Sequence, residues 1–203
     1  MAKTDYKKVY KELYTGKKDK PVVVEVPEFQ YLMVDGKGDP EKSPEFEQAI
    51  EVLYGVSYTM KFLVKGKNPD NDYVVMPMET LWWCENMENF DRDNKDEWLW
   101  TMMISQPSFI TKADVDEAVE AVKKKKELAS LHKLKFEKRP AHKAVQVMHI
   151  GPYEKEEETI EFLHKFIESE GYEMYGKQLD IYLSDPRRID PEKLKTIIRQ
   201  SIK

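Results

Sequence analysis

Two acidic residues stand inside otherwise apolar, strand-like stretches. Glu79 lies in Met78-Glu79-Thr80-Leu81-Trp82-Trp83, and Asp180 lies in Leu179-Asp180-Ile181-Tyr182-Leu183. A carboxylate in such a setting is costly unless it is hydrogen-bonded, paired or solvated by a pocket. One reading is a solvated sheet surface or a lysine partner; two such residues in matching settings point to an acidic pocket. Alternation along a strand puts Glu79, Leu81 and Trp83 on one face of their strand, and Asp180 and Tyr182 on one face of theirs. Aromatic residues adjoin both. All four tryptophans, Trp82, Trp83, Trp98 and Trp100, fall between positions 82 and 100. Trp98, Trp100 and Met102 share a face of a further strand. Core packing accounts for some of these side chains, but a core of so many indoles needs a partner for each N–H. A wall for a flat aromatic ligand uses the same residues without that difficulty. Methionines such as Met102 and Met148 add an adaptable lining. His149, just ahead of the Gly151 turn, can reach the pocket mouth, although a hydrogen-bonded structural role suits it better. The expected ligand-facing set is Trp83, Trp98, Trp100, Met102, Met148, His149 and Tyr182.

Other chemistries find no support. The four histidines show no metal-ligand spacing with one another or with Cys84, so neither metal nor cofactor is expected. There is no P-loop, no GxGxxG after a strand and no GxSxG. The net charge of −5 argues against nucleic acid, and the basic run Lys123–Lys126 falls late in an expected helix, where it complements the helix dipole. No apolar run approaches the roughly 20 residues of a membrane span. The polar first 20 residues lack a signal-peptide centre, and one cysteine fits a reducing compartment. The expected location is the cytoplasm, and the expected state a monomer or weak dimer.

The elements that must hold these residues recur. Glu97, Leu99 and Thr101 of the first half match Glu192, Leu194 and Thr196 of the second. Residues 29–35 and 144–150 read as buried strands, each running into a glycine turn at Gly36-Lys37-Gly38 or Gly151. A helical stripe follows each: Phe46, Ala49, Ile50, Leu53 and Tyr54, then Thr159, Ile160, Leu163, Phe166 and Ile167. Two strands close each half, near 73–83 and 97–105, then 177–183 and 194–200. The expected fold is α+β: tandem strand–helix–strand–strand units, residues 21–105 and 131–203, joined by a helical segment 106–130 capped at Thr111. Edge-to-edge pairing of the units makes one curved antiparallel sheet, with helices packed on it and a ligand cleft at the pseudo-twofold seam.

Several segments resemble the gyrase-inhibitor-like (GyrI-like) small-molecule-binding proteins. They are His149-Ile150-Gly151-Pro152-Tyr153, Met76 through Trp83, Trp98 through Pro107, Asp180 through Arg187 and Pro191 through Gln200. The resemblance implies a single domain of the duplicated fold, with a pocket for bulky, aromatic or cationic compounds and an acidic residue at its centre. It points to the stand-alone branch without a DNA-binding domain. Some members of that branch hydrolyse cyclopropane-bearing DNA-alkylating natural products. Two departures stand out. Asp180 replaces the usual Glu, and Met78 and Thr80 depart from a Leu-Glu-Gly-Leu-Trp-Trp pattern.

The expected function is binding of flat, hydrophobic or cationic small molecules in xenobiotic defence, with Glu79 and Asp180 as counter-charges. The alternative is a hydrolase that opens cyclopropyl ketones with water. That reaction needs a base for the water and a donor for the ketone oxygen. Glu79 is the expected base and Tyr153 the expected donor, with Asp180 as the second carboxylate.

Overall fold

The computed structural model describes residues 3–85 and 94–203. Eight strands form one antiparallel sheet in the order β1-β6-β8-β7-β3-β4-β2-β5. The first half contributes β1 (Val22–Val26), β2 (Phe29–Lys37), β3 (Glu79–Trp83) and β4 (Leu99–Gln106). The second contributes β5 (Lys135–Arg139), β6 (His142–Ile150), β7 (Gln178–Tyr182) and β8 (Lys195–Ser201). A short α1 (Tyr6–Val9) precedes β1. The long α2 (Pro44–Lys67) separates β2 from β3, and α4 (Glu156–Ser169) separates β6 from β7. The expected strand–helix–strand–strand plan therefore holds in both halves. The joining helix α3 (Lys112–Lys123) is shorter than residues 106–130 but starts as expected, with a Thr111–Asp114 capping box.

The edge strands β1 and β5 add to the plan, and they are exchanged. Strand β1 leads into β2 yet pairs with β6, while β5 leads into β6 yet pairs with β2. Each half thus closes an edge of the other, which explains why neither half reads as self-sufficient.

The strand ladders fix the symmetry. Strands β3 and β7 meet at the seam with Glu79 opposite Ile181, Thr80 opposite Asp180 and Leu81 opposite Leu179. The pseudo-twofold axis runs through the Thr80–Asp180 pair. Following the ladders outward, Trp82 and Tyr182 are counterparts, as are Trp100 and Thr196. Gly38 and Gly151 are counterparts too; their φ values of 105° and 143° explain why glycine stands at both turns. The sequence alignment of Thr101 with Thr196 is therefore one residue out of register, and that of Gly36 with Gly151 two. A one-residue slip carries side chains to the opposite face of a sheet.

Helices α2 and α4 lie on the same face. Val145, Val147 and Ile198 pack with Ile160, Leu163 and Ile167 of α4. Trp100, Met102 and Ile104 are fully buried on the face under α2, where Phe46 meets the Trp100 ring edge-on at 5.3 Å. The far end of the Trp100 ring lies over Gly36, its cross-strand partner. A Cβ on Gly36 would sit 2.1 Å from Trp100 Cη2. Gly36→Ala should therefore destabilise the fold by about 1–3 kcal/mol, the usual cost of overpacking. Urea unfolding measures this; an unchanged midpoint would show that the indole has room to move.

The other face is covered at one end by the N-terminal segment. Arg199 Nη2 donates to the Leu13 carbonyl at 2.6 Å, and Gln146 Nε2 donates to the Glu12 and Thr15 carbonyls at 2.9 and 3.0 Å. Leu13, Tyr14 and Tyr6 are buried there.

Candidate functional site

The seam strands β3 and β7 lie between α2 and α4 on the helix face. Their outward-pointing residues there are Thr80, Trp82, Asp180 and Tyr182, by alternation and by the β3–β7 ladder. Trp82 Nε1 donates to the Tyr182 hydroxyl at 3.2 Å, joining the two halves. Phe46 of α2 stacks on Trp82 at 5.9 Å, and Trp98 meets Trp82 edge-on at 5.6 Å. From the other side, Tyr153 meets Tyr182 edge-on at 5.5 Å. These rings gather at the pseudo-twofold axis, and each of them is only partly buried.

The seam itself is acidic. Asp180 is 3% exposed and accepts from Gln178 Nε2 at 3.0 Å. Glu156, the first residue of α4, is buried beside it. Burial, and then the neighbouring Asp180 charge, hold the Glu156 carboxyl well above the usual carboxylate range. Among the described residues Thr80 Oγ1 is buried without a hydrogen-bond partner, and the buried Thr196 hydroxyl lies beside the Glu156 carboxyl, whose charged form it favours. Buried polar atoms are rarely left unsatisfied, so the Thr80 hydroxyl beside Asp180 suits a bound water or ligand group. Burial, then the charges of Glu156 and Asp185, push the Tyr153 hydroxyl up to about 12. Tyr153 therefore keeps its proton at neutral pH and can donate it in a hydrogen bond.

The structure separates the residues expected to act together. Tyr153, Asp180, Trp98 and Tyr182 gather at the cleft. Glu79 does not: it faces the opposite side of the sheet, because Ile181 and not Asp180 is its cross-strand partner. Glu79 and Tyr153 cannot act on one substrate, which corrects the expected base–donor pair. Trp83 shares the Glu79 face, with Lys177 Nζ 2.9 Å from its ring centre. Met148 is also on that face, opposite Ile197, which in turn stands opposite Ile181. Trp100 and Met102 point to the helix face but are fully buried core. His149 is 3% exposed, with Nδ1 2.8 Å from Thr159 Oγ1 and Nε2 3.2 Å from the Pro152 carbonyl, a structural histidine. Glu156, Trp82 and Phe46 were not expected in the site. Helical spacing with Thr159, Ile160 and Leu163 is the signal that places Glu156 on the buried stripe of α4.

Among the described residues no cluster of His, Cys, Asp and Glu could hold a metal ion, and no helix is long and apolar enough to cross a membrane.

Known structures share this architecture along the whole chain. An uncharacterized conserved protein from Listeria innocua is 40% identical with a TM-score of 0.90, covering 99% of this chain and 100% of its own. A hydrolase encoded by lin2189 from Listeria innocua is 39% identical with a TM-score of 0.89, covering both chains completely. The EcmrR C-terminal domain, 17% identical over 91% of this chain and 97% of its own, shares the fold with a TM-score of 0.56. No curated protein matches the chain. The model of the GyrI-like small molecule binding domain matches residues 19–201, all eight strands of the sheet and the helices α2 and α4, and the chain belongs to that family.

Proposed function

We propose that the seam cleft binds bulky, flat aromatic molecules, cationic ones included, in defence against xenobiotics. The observation that carries this reading is the buried polar group of Asp180, Glu156 and Thr80 beside the partly buried rings of Trp82, Tyr182, Tyr153 and Phe46. The rings supply contact area and cation–π attraction, and the acidic floor supplies counter-charge. A planar aromatic cation such as ethidium should quench tryptophan fluorescence on binding. Trp82→Ala should weaken that binding more than tenfold, equivalent to about 1.4 kcal/mol. Trp83→Ala, on the other face of the sheet, should leave it unchanged. The reverse pattern would place the ligand elsewhere.

A second reading is favoured by the hydrolase from Listeria innocua, 39% identical over its full length. In this reading a water held by the floor attacks the cyclopropane carbon of a cyclopropyl ketone. Asp180 takes the water proton as the carbon–carbon bond breaks and its electrons move to the ketone oxygen. Tyr153, which keeps its proton at neutral pH, donates a hydrogen bond to that oxygen, and Glu156, held protonated, returns a proton to the enolate. Transfer of the proton held by Asp180 to the neighbouring Glu156 resets both carboxyls, and the sum is addition of water across one strained bond. Turnover of a cyclopropyl-indole compound by the purified protein tests it; absence of turnover leaves the binding role alone.

A further inference from the structure

Helix α2 turns one face to the sheet and the other to solvent, and the solvent face is aromatic at its centre. Ala49, Val52, Val56 and Met60 are buried on the inner side. At 3.6 residues per turn, Glu47, Glu51, Tyr58, Phe62 and Lys65 fall on the outer side, and all five are exposed. Tyr58 is 48% exposed and Phe62 63%, the most exposed large apolar side chain among the described residues. Tyr54, partly buried, stacks on Tyr58 with ring centres 6.2 Å apart, and its hydroxyl bonds the Met78 carbonyl. The Tyr58 ring is thus supported along the ridge. Adjacent aromatic rings left bare on the outside of a long helix mark a contact surface.

The charges on this ridge are ordered about the same centre. Glu45, Glu47 and Glu51 stand toward the start of α2, and Lys65 and Lys67 toward its end. Tyr54 and Phe62 lie four residues to either side of Tyr58, and Glu51 and Lys65 seven. A second α2 laid antiparallel across Tyr58 therefore sets each Phe62 against a Tyr54 and each Lys65 against a Glu51. A parallel copy would set like charges together. Within the chain Glu51 pairs with Lys126 at 3.3 Å and Lys65 with Asp72 at 2.9 Å. The lysine and glutamate ends of these pairs are exposed, so exchanging partners costs little. Asp72 keeps Lys61 and Lys3 when Lys65 turns outward.

We propose that two copies of this chain form a weak, twofold-symmetric dimer through the outer faces of α2, the helices running antiparallel and crossing at Tyr58. Such an interface is self-complementary, so each aromatic and each charged contact is made twice. Antiparallel helices also bring opposite dipole ends together. Phe46, which stacks on Trp82, stands about a third of a turn around α2 from Tyr58, so the interface and the seam are separate surfaces of the helix.

Sedimentation velocity of the whole chain over a wide range of concentration tests the proposal. A reversible monomer–dimer equilibrium is expected, weakened at least tenfold by Phe62→Glu. Phe62 is exposed, so that variant should keep the natural urea midpoint. A natural chain that stays monomeric at every concentration overturns the proposal, as does a dimer whose affinity Phe62→Glu leaves unchanged. A short bis-maleimide, used in a Cys84→Ser background, tests the register. A mixture of Glu51→Cys and Lys65→Cys chains should cross-link, and neither variant should do so alone. In the antiparallel pair the two copies of residue 51 stand about 21 Å apart along the helix, as do the two of residue 65. Cross-linking of either variant with itself, or none in the mixture, overturns the antiparallel pairing.

Discussion

Asp180→Asn should abolish function at the seam cleft more completely than any other single substitution. If the protein turns over a cyclopropyl ketone, loss of the base should lower single-turnover rates by about 10²–10⁴-fold, the usual range for a general base. Glu156→Gln should also lower the rate, because glutamine keeps the shape of a protonated carboxyl but has no acidic proton to give. The two residues act as a unit, so the double variant should be little worse than Asp180→Asn alone. For binding, the expected contrast is different. Asp180→Asn removes counter-charge and should weaken a planar aromatic cation, whereas Glu156→Gln should leave it nearly unchanged, since burial and Asp180 already keep Glu156 protonated. Equal losses in the two variants would show that Glu156 carries charge in the folded protein.

Glu79→Gln should stabilise the protein at alkaline pH and flatten its pH dependence. Glu79 is 1% exposed, and burial pushes its carboxyl up to about 7, against the opposing pull of Arg199, Arg139 and Tyr31. A carboxyl whose folded value is raised binds its proton more tightly in the folded state. The associated stability is fully present below the unfolded value of about 4.5 and is lost as pH rises through about 7. The difference of roughly 2.5 units corresponds to about 3 kcal/mol. Glu156 is shifted in the same direction, so its contribution has the same sign. The natural protein should therefore lose stability between pH 5 and 8, and Glu79→Gln should lose distinctly less. Urea unfolding across that range provides the measurement. Parallel curves for the two proteins would mean that Glu79 stays charged or solvated in the fold.

The helices and the inner strands were legible because their signals are local. The apolar stripes of α2 and α4 and the alternating runs of β3 and β7 need no partner to be read. Register is another matter, because it depends on which strand lies alongside. Glu97, Leu99 and Thr101 recur as Glu192, Leu194 and Thr196, yet the ladders pair Trp100, not Thr101, with the position of Thr196. That slip made Glu79 and Asp180 look like counterparts, when Thr80 is the counterpart of Asp180. The edge strand β5, Lys-Phe-Glu-Lys-Arg, is hidden by charges that suit an edge. Glu156 is hidden among the acidic residues at the start of α4, and only its phase against Ile160 and Leu163 distinguishes it. Trp100 illustrates a different limit: sequence gives its face, but only packing under α2 shows that no ligand reaches it.

The most direct measurement is a crystal structure of the protein with a planar aromatic cation bound. The account predicts the ligand ring on the helix face, in contact with Trp82 and Tyr182, with its charge toward Asp180. A cation bound on the other face, over Trp83 and away from Asp180, would contradict it.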